Sequence, residues 1–526
     1  MTQLLDLYGF ISVLLRGLTL SFEALTVGGI IFLLAVARHV LATRALTWFA
    51  LLLMLTTISS TYLNAVILAA TANLSWAEAS SAPFCMAGAL MATGALVAVI
   101  FIRTRWASVA GPFACVLILA GSVMNSHSFA RIVHQRSAMA LTWVHHLAGA
   151  AWIGGMLYLL LTLRNLPSAS EGPKIAKRFS RLAMISVTAV VAAGLTLSLL
   201  YVGSTPALAG TTYGVMLLSK VFLTVLILFL GALNLRIVRN ARAGLNPALL
   251  PLRRFAEAEL GIGFTILLTT ASLTSMPPAI DVRADRVSTA EMVLRMKPKP
   301  PRLETPALAE LSPATPLNQS ESSALPGSFV PGELVHPNNP ADIAWSEYNH
   351  NWAGIMVTVI GVLAILAHRF GWARAWPLAF LGLAVFLLIR SDSENWPLGP
   401  RGFWESFQVA EVAQHRFFVL LIVLFAIFEW AVQTRRLELR RAGLVFPLVC
   451  AVGGALLMLH SHSLGNIREE FLIELSHIPL ALLAVGAGWC RWLEIRLPLD
   501  RTRVVAWIWP VCFVLIGGVL MLYRES

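Results

Sequence analysis

The twelve histidines of the sequence are unevenly distributed along its apolar segments, and imidazole is the commonest side-chain ligand of transition metals. Three of them, His39, His336 and His368, lie apart from the rest. The other nine fall at or near helix ends that the loop charges described below predict to be periplasmic: His127, His134, His145, His146, His350, His415, His460, His462 and His477. Tolerance of histidine at a membrane interface explains individual residues but not this asymmetry. The pattern indicates a metal-binding face, with copper, zinc and haem iron as candidates.

Five of these histidines lie in the second half of the chain and are predicted to meet at the periplasmic surface. In LLMLHSHSLGNIREEFLIELSHIPLALL, His460 and His462 end one apolar segment and His477 begins the next. His350 and His415 begin two further segments on the same side. Three or four of the five would satisfy a copper ion, whereas two from facing helices would bind haem b. Separate histidines that cap helices or form hydrogen bonds at an interface are the structural alternative.

The segment LTWVHHLAGAAWIGGMLYLLL is the most distinctive part of the first half. If it is one continuous α-helix, a stripe from His145 to Met156 follows the spacing i, i+4, i+7, i+11 and lies on one face. Gly154 and Gly155 would let a neighbouring helix approach closely. We predict that His145 or His146 belongs to an entry site for a metal ion and that Met156 lies along the path. Ordinary helix packing also accounts for such a stripe.

Upstream of this segment, MNSHSFARIVHQR adds Met124, His127 and His134 on the same side of the membrane. Thioether and imidazole groups together suit a soft ion such as Cu(I). Methionine is also a common filler of helix interfaces, so packing is the alternative for Met124.

Two charged residues fall inside predicted membrane segments, Glu23 in the first and Lys220 in the seventh. An ionisable group at that depth is costly and marks a candidate functional position. Both residues are predicted to lie along the transport path, with Glu23 on the inward route of a cation or a proton. The alternative is a hydrogen bond from Glu23 to a Ser, Tyr or Lys of another helix.

Composition identifies the class of protein to which these residues belong. Of the 526 residues, 57% are hydrophobic and 13% are charged, whereas soluble chains have about 45–50% and about 25%. The net charge of +12 arises mainly from short loops between apolar blocks, so it reports membrane topology and predicts no nucleic-acid partner. The sequence contains no phosphate-binding loop, no HExxH and no GxSxG, and we predict that the protein is not an enzyme.

Fourteen apolar segments are long enough to cross a bilayer as helices, which predicts an all-α, polytopic membrane helix bundle surrounded by lipid. The first of them is too long for a signal peptide and is predicted to stay attached. Eight segments precede a Pro-rich stretch and six follow it. They lie at about 9–37, 46–71, 84–102, 107–124, 139–163, 182–203, 214–236, 258–276, 351–368, 372–389, 413–433, 443–461, 472–495 and 503–523.

Lys and Arg cluster in the odd-numbered loops, which assigns those loops to the cytoplasm. Both termini and the Pro-rich stretch are then periplasmic. The predicted domains are an eight-helix membrane domain over 1–278, a periplasmic linker over 279–344 and a six-helix, His-rich membrane domain over 345–526.

Residues 9–278 resemble the copper resistance protein D (CopD) family of bacterial inner-membrane proteins. The resemblance rests on SFEALTVGG, HHLAGAAWIGGM, LLSKVFLTVLILFLGALN and RRFAEAELGIGFTILLTTASLTSMPP. The second half, with LHSHSLGN and ELSHIPLALLAVGAGWCRWLEIRL, is similar to the additional carboxy-terminal module of longer members.

This resemblance implies a multi-pass protein of the bacterial inner membrane that functions in copper uptake from the periplasm and in copper tolerance. It also implies a periplasmic copper carrier of the CopC type as a partner. Fused members carry such a carrier as a folded domain, whereas the linker here is Pro-rich and holds one histidine, His336. A membrane cytochrome with haem b, or an accessory subunit of a membrane redox complex, is the alternative.

Overall fold

The computed structural model of the chain describes most of its residues. The described ranges are 2–165, 171–242, 249–282, 286–311, 339–390, 392–408, 410–437, 441–459, 467–498 and 502–524. Within these ranges the secondary structure is helical, and no β-strand is formed. The chain folds as two compact units, Met1–Arg286 with Met458–Ser461, and Val287–Leu457 with His462–Ser526.

The first unit contains twelve α-helices in its described residues. They are α1 (Thr2–Ala35), α2 (Val40–Thr71), α3 (Trp76–Ser80), α4 (Pro83–Phe101), α5 (Ala107–Met124), α6 (His127–Ala130), α7 (Gln135–Gly149), α8 (Gly155–Arg164), α9 (Glu171–Val202), α10 (Thr205–Ala209), α11 (Thr212–Arg242) and α12 (Leu249–Ser275). A π-helical turn, Ala150–Gly154, joins α7 to α8 within one membrane-spanning segment. The short helices α3, α6 and α10 lie in loops between the long ones.

The second unit contains seven α-helices in its described residues. They are α13 (Thr289–Met296), α14 (Pro340–Leu366), α15 (Ala379–Arg390), α16 (Ala410–Gln433), α17 (Val445–Leu457), α18 (Ile467–Arg496) and α19 (Arg503–Met521). A 3-10 helix, Gly371–Leu378, leads directly into α15. Aromatic rings fill the core, where Phe446 packs edge-on against Trp376 and Trp509 with ring centroids 5.3 and 5.4 Å apart.

Thirteen helices in the described part of the chain are long and apolar enough to span a membrane. The fourteenth predicted segment corresponds to a shorter apolar helix, Ala442–Leu457. The prediction of an all-α, polytopic membrane protein is therefore confirmed. The predicted periplasmic position of both termini remains a prediction, because it rests on loop charge.

The stretch predicted as a linker is partly folded in the structure. The helix α13 begins after Ser288, whose hydroxyl accepts a hydrogen bond from the Glu291 backbone N–H at 3.2 Å. The guanidinium of Arg468 on α18 donates to both carboxylate oxygens of Glu291, at 2.8 and 2.7 Å. The Pro-rich composition gave no indication of this helix, because a short capped helix held by an ion pair needs no long apolar run. Residues 312–338 lie outside the described ranges, and the predicted domain boundaries stay a prediction.

Candidate functional site

Three polar side chains from three helices meet inside the first unit. Glu23 of α1 is buried, with 3% of its surface exposed. The Ser122 hydroxyl of α5 donates a hydrogen bond to Glu23 Oε2 at 2.7 Å. Nδ1 of His146 on α7 lies 3.3 Å from Glu23 Oε1 and 3.0 Å from Ser122 Oγ. We call this group the Glu23–Ser122–His146 triad.

The hydrogen bonds of the triad determine which nitrogen of His146 carries the proton. Ser122 uses its only hydrogen to donate to Glu23, so both oxygens near Nδ1 can act only as acceptors. Nδ1 must therefore be protonated, which leaves the lone pair of the neutral ring on Nε2. A carboxylate that orients a histidine through Nδ1 is the usual support of a histidine that binds a metal through its other nitrogen. The triad thus leaves Nε2 of His146 as the nitrogen that could bind a ligand, within the candidate membrane span Gln135–Arg164.

Close backbone packing positions α1 against the π-helical turn that follows His146. A Cβ atom on Gly154 would lie 1.8 Å from the carbonyl oxygen of Ala24, and one on Gly28 would lie 2.1 Å from that of Ala150. Only glycine permits this approach, which agrees with the prediction that small residues here admit another helix. The Tyr158 hydroxyl also donates to the Leu25 carbonyl at 2.8 Å.

The π-helical turn interrupts the stripe predicted from His145 to Met156. That stripe assumed α-helical periodicity throughout, but the wider turn at Ala150–Gly154 shifts the register of all later residues. Met156 is buried on α8, with 4% of its surface exposed. Such π-helical insertions are frequent at functional positions, and this one begins four residues after His146.

His145 and His146 are adjacent but contact different helices. Nδ1 of His145 lies 3.2 Å from the Val190 carbonyl oxygen of α9, and Cε1 of its ring would lie 3.1 Å from a Cβ atom on Gly194. The ring centroids of the two histidines are 6.4 Å apart. The half-buried Lys220 of α11 lies within electrostatic range of His145. Successive residues of a helix do not share a face, which explains the divergence.

His127 lies on α6, outside the membrane-spanning segments, and contacts two tyrosines. Its ring centroid is 6.2 Å from that of Tyr201 and 6.5 Å from that of Tyr213. Its Nε2 is buried without a hydrogen-bond partner among the described residues. Burial, with a smaller contribution from the positive charge of Arg16, lowers the pKa of His127. The ring is therefore neutral at pH 7 and keeps a lone pair for a ligand.

The remaining predicted ligands of the first unit do not join these groups. His134 is exposed and has a left-handed backbone conformation, φ 57°, before α7. Met124 is half-buried at the end of α5. Among the described residues of the chain, no group of three or more His, Cys, Asp and Glu side chains is close enough to hold a metal ion.

Two of the five histidines predicted to meet in the second unit are neighbours. The rings of His350 on α14 and His477 on α18 lie 6.4 Å apart, centroid to centroid. Nδ1 of His350 is 2.9 Å from the Ser346 carbonyl oxygen, and Nδ1 of His477 is 2.8 Å from that of Ile473. Both carbonyls are acceptors, so each Nδ1 is protonated and each lone pair is on Nε2. Tyr523 stacks on His350 at 3.9 Å and meets His477 edge-on at 6.1 Å.

The other three histidines of that prediction are His415, His460 and His462. His415 is exposed on α16. His460 and His462 lie outside the described residues, so the meeting of all five histidines stays a prediction.

Sequence reasoning missed Ser122 and the buried carboxylate Glu259 on α12, which is 4% exposed. Ser122 carries no signal of its own, because serine is common in membrane helices and hydrogen-bonds to its own backbone. Glu259 could have been found, since it lies in the apolar segment predicted at 258–276.

Comparisons with known proteins agree with the resemblance found in the sequence. Residues 173–273, which include most of α9, all of α11 and most of α12, match the family "Copper resistance protein D". Over 153 residues the chain is 31% identical to "Copper transport protein CutJ" of Bacillus subtilis (strain 168), a match that covers 28% of this chain and 27% of that protein. The chain thus spans about a quarter of the length of the curated relative it matches. No solved structure matches.

The candidate spanning helices define a multi-pass membrane protein, and the match to copper resistance and transport proteins assigns it to the bacterial inner membrane. Its region 173–273 matches the copper resistance protein D family, which confirms the resemblance over those residues.

Proposed function

We propose that this protein is a copper transporter of the inner membrane that takes up copper on the periplasmic side and passes it inward through the first unit. The observation that carries the proposal is the Glu23–Ser122–His146 triad, in which a buried carboxylate orients an imidazole toward metal binding. A merely structural carboxylate would need no histidine with its lone pair left on the other ring nitrogen. The family match of α9–α12 in the same unit supports copper as the cargo.

The order of the ligands along the first unit gives the proposed route. His127 lies in the loop before α7 and is the outer ligand. His146 lies 11 residues into α7, which corresponds to about 17 Å along the helix and places it within the bilayer. An inside-negative membrane potential favours inward movement of a cation by about 2.3 kcal/mol per charge per 100 mV. The proposed direction therefore needs no ATP site.

A periplasmic copper carrier of the CopC type is the proposed donor. The linker of this chain offers only His336 as an imidazole ligand, so the linker itself does not supply the carrier.

Replacing Glu23 with Gln tests the triad in cells that express the protein. The change removes the charge that orients His146 while keeping the size of the side chain, so we expect copper accumulation to fall at least about tenfold, equivalent to about 1.4 kcal/mol. The measurement is cell-associated copper by elemental analysis, with the amount of folded protein determined in parallel.

The matched control is Glu78→Gln. Glu78 is an exposed carboxylate of a capping box with Ser75 in a loop, and Gln preserves such a box. Hydrogen bonds from Ser75 lower the pKa of Glu78, which shows that a local partner holds its charge. Glu78→Gln should accumulate copper as the wild type does. Equal accumulation by Glu23→Gln would make Glu23 a structural residue only.

The second candidate function is haem b binding by the second unit, and the pair His350 and His477 favours it. Two imidazoles from different helices, each oriented through Nδ1, are the ligands of a haem b iron. Tyr523 packs against both rings, so a flat macrocycle could lie between them only if Tyr523 moved. A small ion requires no such movement, and we therefore assign this pair to copper.

The absorption spectrum of the purified protein tests this assignment. We expect no Soret band, and we expect a bound copper ion that is lost when His350 and His477 are both replaced by Ala. His368→Ala is the control, because its ring stacks on Trp507 at 5.0 Å elsewhere in the same unit. A Soret band that disappears in the double variant would establish haem b instead.

A further inference from the structure

Glu259 is a buried carboxylate of the first unit whose hydrogen-bond partner is an amide. It lies on α12, five residues beyond Arg254, and is 4% exposed. The Asn234 side chain of α11 donates from Nδ2 to Glu259 Oε1. Among the described residues, no Lys, Arg or His lies within ion-pair distance of Glu259. An ionised carboxylate in such a place is costly.

The charged and titratable groups around Glu259 are engaged elsewhere. On its own helix, Arg254 pairs with Glu257. On α11, Arg236 and Arg239 are exposed, and Lys220 acts on His145. Two other helices that pack against α12 also carry such groups. On α1, Arg16 donates to Thr274, and Glu23 accepts a hydrogen bond from Ser122. On α8, Tyr158 donates to the Leu25 carbonyl, and Arg164 lies within electrostatic range of Arg253.

The amide of Asn234 offers both a hydrogen-bond donor and an acceptor, which match the two oxygens of a protonated carboxyl. Its Nδ2 already donates to Oε1, while its Oδ1 is buried and has no hydrogen-bond partner among the described residues. A proton on Oε2 of Glu259 would supply the missing donor and complete a pair of hydrogen bonds between a carboxylic acid and an amide. A buried acceptor without a donor is costly, so this orphaned oxygen points to a proton as the ligand.

The packing of α1 against α12 gives the depth of Glu259. Arg16 bonds to Thr274, and a Cβ atom on Gly17 would lie 3.5 Å from Ala271 Cβ, so the two helices run antiparallel. Continuing that pairing places Glu259 opposite residues 29–31 of α1. Glu259 is therefore about seven residues, or about 10 Å, closer to the cytoplasmic side than Glu23.

We propose that Glu259 and Asn234 form a proton-binding site, and that a copper ion bound at the Glu23–Ser122–His146 triad displaces this proton toward the cytoplasm. The coupling rests on the proposed function, whereas the proton site does not. The offset of about 10 Å along the helix axis is the smallest possible separation of the two sites. A positive charge at that distance in a medium of effective dielectric about 20 lowers the proton affinity of a carboxyl by roughly tenfold, which is therefore the upper limit of the effect. The step is balanced: the bound cation replaces one proton, Glu259 changes from carboxylic acid to carboxylate, and no electron is transferred.

Proton release on ion binding tests the proposal with the purified full chain. The probe is Ag⁺, a monovalent soft ion that resembles Cu(I) and is not oxidised, added to weakly buffered protein with a pH indicator. Neutral histidine and methionine release no proton when they bind a metal. At the pH where the carboxyl is about half protonated, a tenfold drop in affinity releases up to about half a proton per ion bound at the triad in the wild type. We expect no release from Glu259→Gln, which still binds the ion.

Glu257→Gln is the control, because it removes a neighbouring carboxylate that is paired with Arg254. An infrared difference spectrum of the wild type gives a second readout that needs no variant, since Ag⁺ should remove the C=O band of a protonated carboxyl. Ion binding with unchanged proton release in a folded Glu259→Gln, or without loss of that band, overturns this inference alone. A wild type that binds no Ag⁺ overturns the proposed function and the coupling together.

Discussion

Cells expressing His146→Ala are expected to accumulate copper at the level of cells that lack the protein. The substitution removes the only imidazole of the triad and leaves the carboxylate of Glu23 with Ser122 as its partner. A lost ligand inside the bilayer cannot be replaced by water, so we expect a larger effect than for Glu23→Gln. His145 cannot substitute for His146, because its Nδ1 is directed to Val190 on α9.

The control for this prediction is His134→Ala. His134 is an exposed histidine at the start of the same helix, so the two variants differ in whether the removed ring belongs to the triad. We expect His134→Ala to retain most of the accumulation. If His146→Ala is folded and accumulates copper as well as His134→Ala does, the ion does not pass His146.

The second large effect is expected for Gly154→Ala, which adds one methyl group to the π-helical turn. That methyl would lie 1.8 Å from the Ala24 carbonyl oxygen, and backbone on both sides prevents a simple side-chain adjustment. We expect α1 to be displaced and the protein to be destabilised by at least about 1–3 kcal/mol, the range typical of overpacked sites. Thermal unfolding of the detergent-purified protein measures the effect.

Gly149→Ala is the matched control in the same segment. A Cβ atom on Gly149 meets no atom within 4 Å, and Ala is favoured over Gly in a helix. This variant should unfold at the wild-type temperature or slightly above it. Equal stability of the two variants would mean that α1 does not pack against the π-helical turn as described.

The helical architecture could be predicted from the sequence because a lipid bilayer imposes one simple rule. Backbone groups in hydrocarbon must bond within their own segment, so a long apolar run such as 182–203 specifies a helix by length alone. The rule fails where a helix is short or capped. It missed α13, whose stability comes from Ser288 and from the ion pair between Glu291 and Arg468.

Within the candidate site, the sequence could identify only the ionisable residues whose burial costs free energy. Glu23 was identifiable because burying a carboxylate in an apolar segment costs free energy. A hydrogen bond from a serine of another helix to Glu23 was one of the two predicted roles. Its actual partners depend on which helices are neighbours, which spacing along one segment does not reveal. His145 and His146 could not be distinguished for the same reason. The π-helical turn at Ala150–Gly154 further invalidated the periodicity used to align Met156 with His145.

In the second unit, the sequence correctly suggested that histidines from different helices approach each other, but it could not select the pair. His350 and His477 are neighbours because α14 and α18 both pack against α19, and Tyr523, which follows the end of α19, contacts both rings. His415 begins a helix at the predicted level yet is exposed. The predicted depth of a histidine in the membrane is therefore a weaker guide to which histidines meet than the knowledge of which helices are neighbours.

Copper uptake into liposomes that contain the purified protein tests the central claim most directly. The liposomes enclose a copper-sensitive indicator and carry an inside-negative potassium diffusion potential, and the ion is supplied as Cu(I) outside. We predict saturable uptake by the wild type that rises with the potential, and uptake by His146→Ala equal to that of protein-free liposomes. Wild-type uptake no faster than in protein-free liposomes, with the protein folded and inserted, would contradict the account.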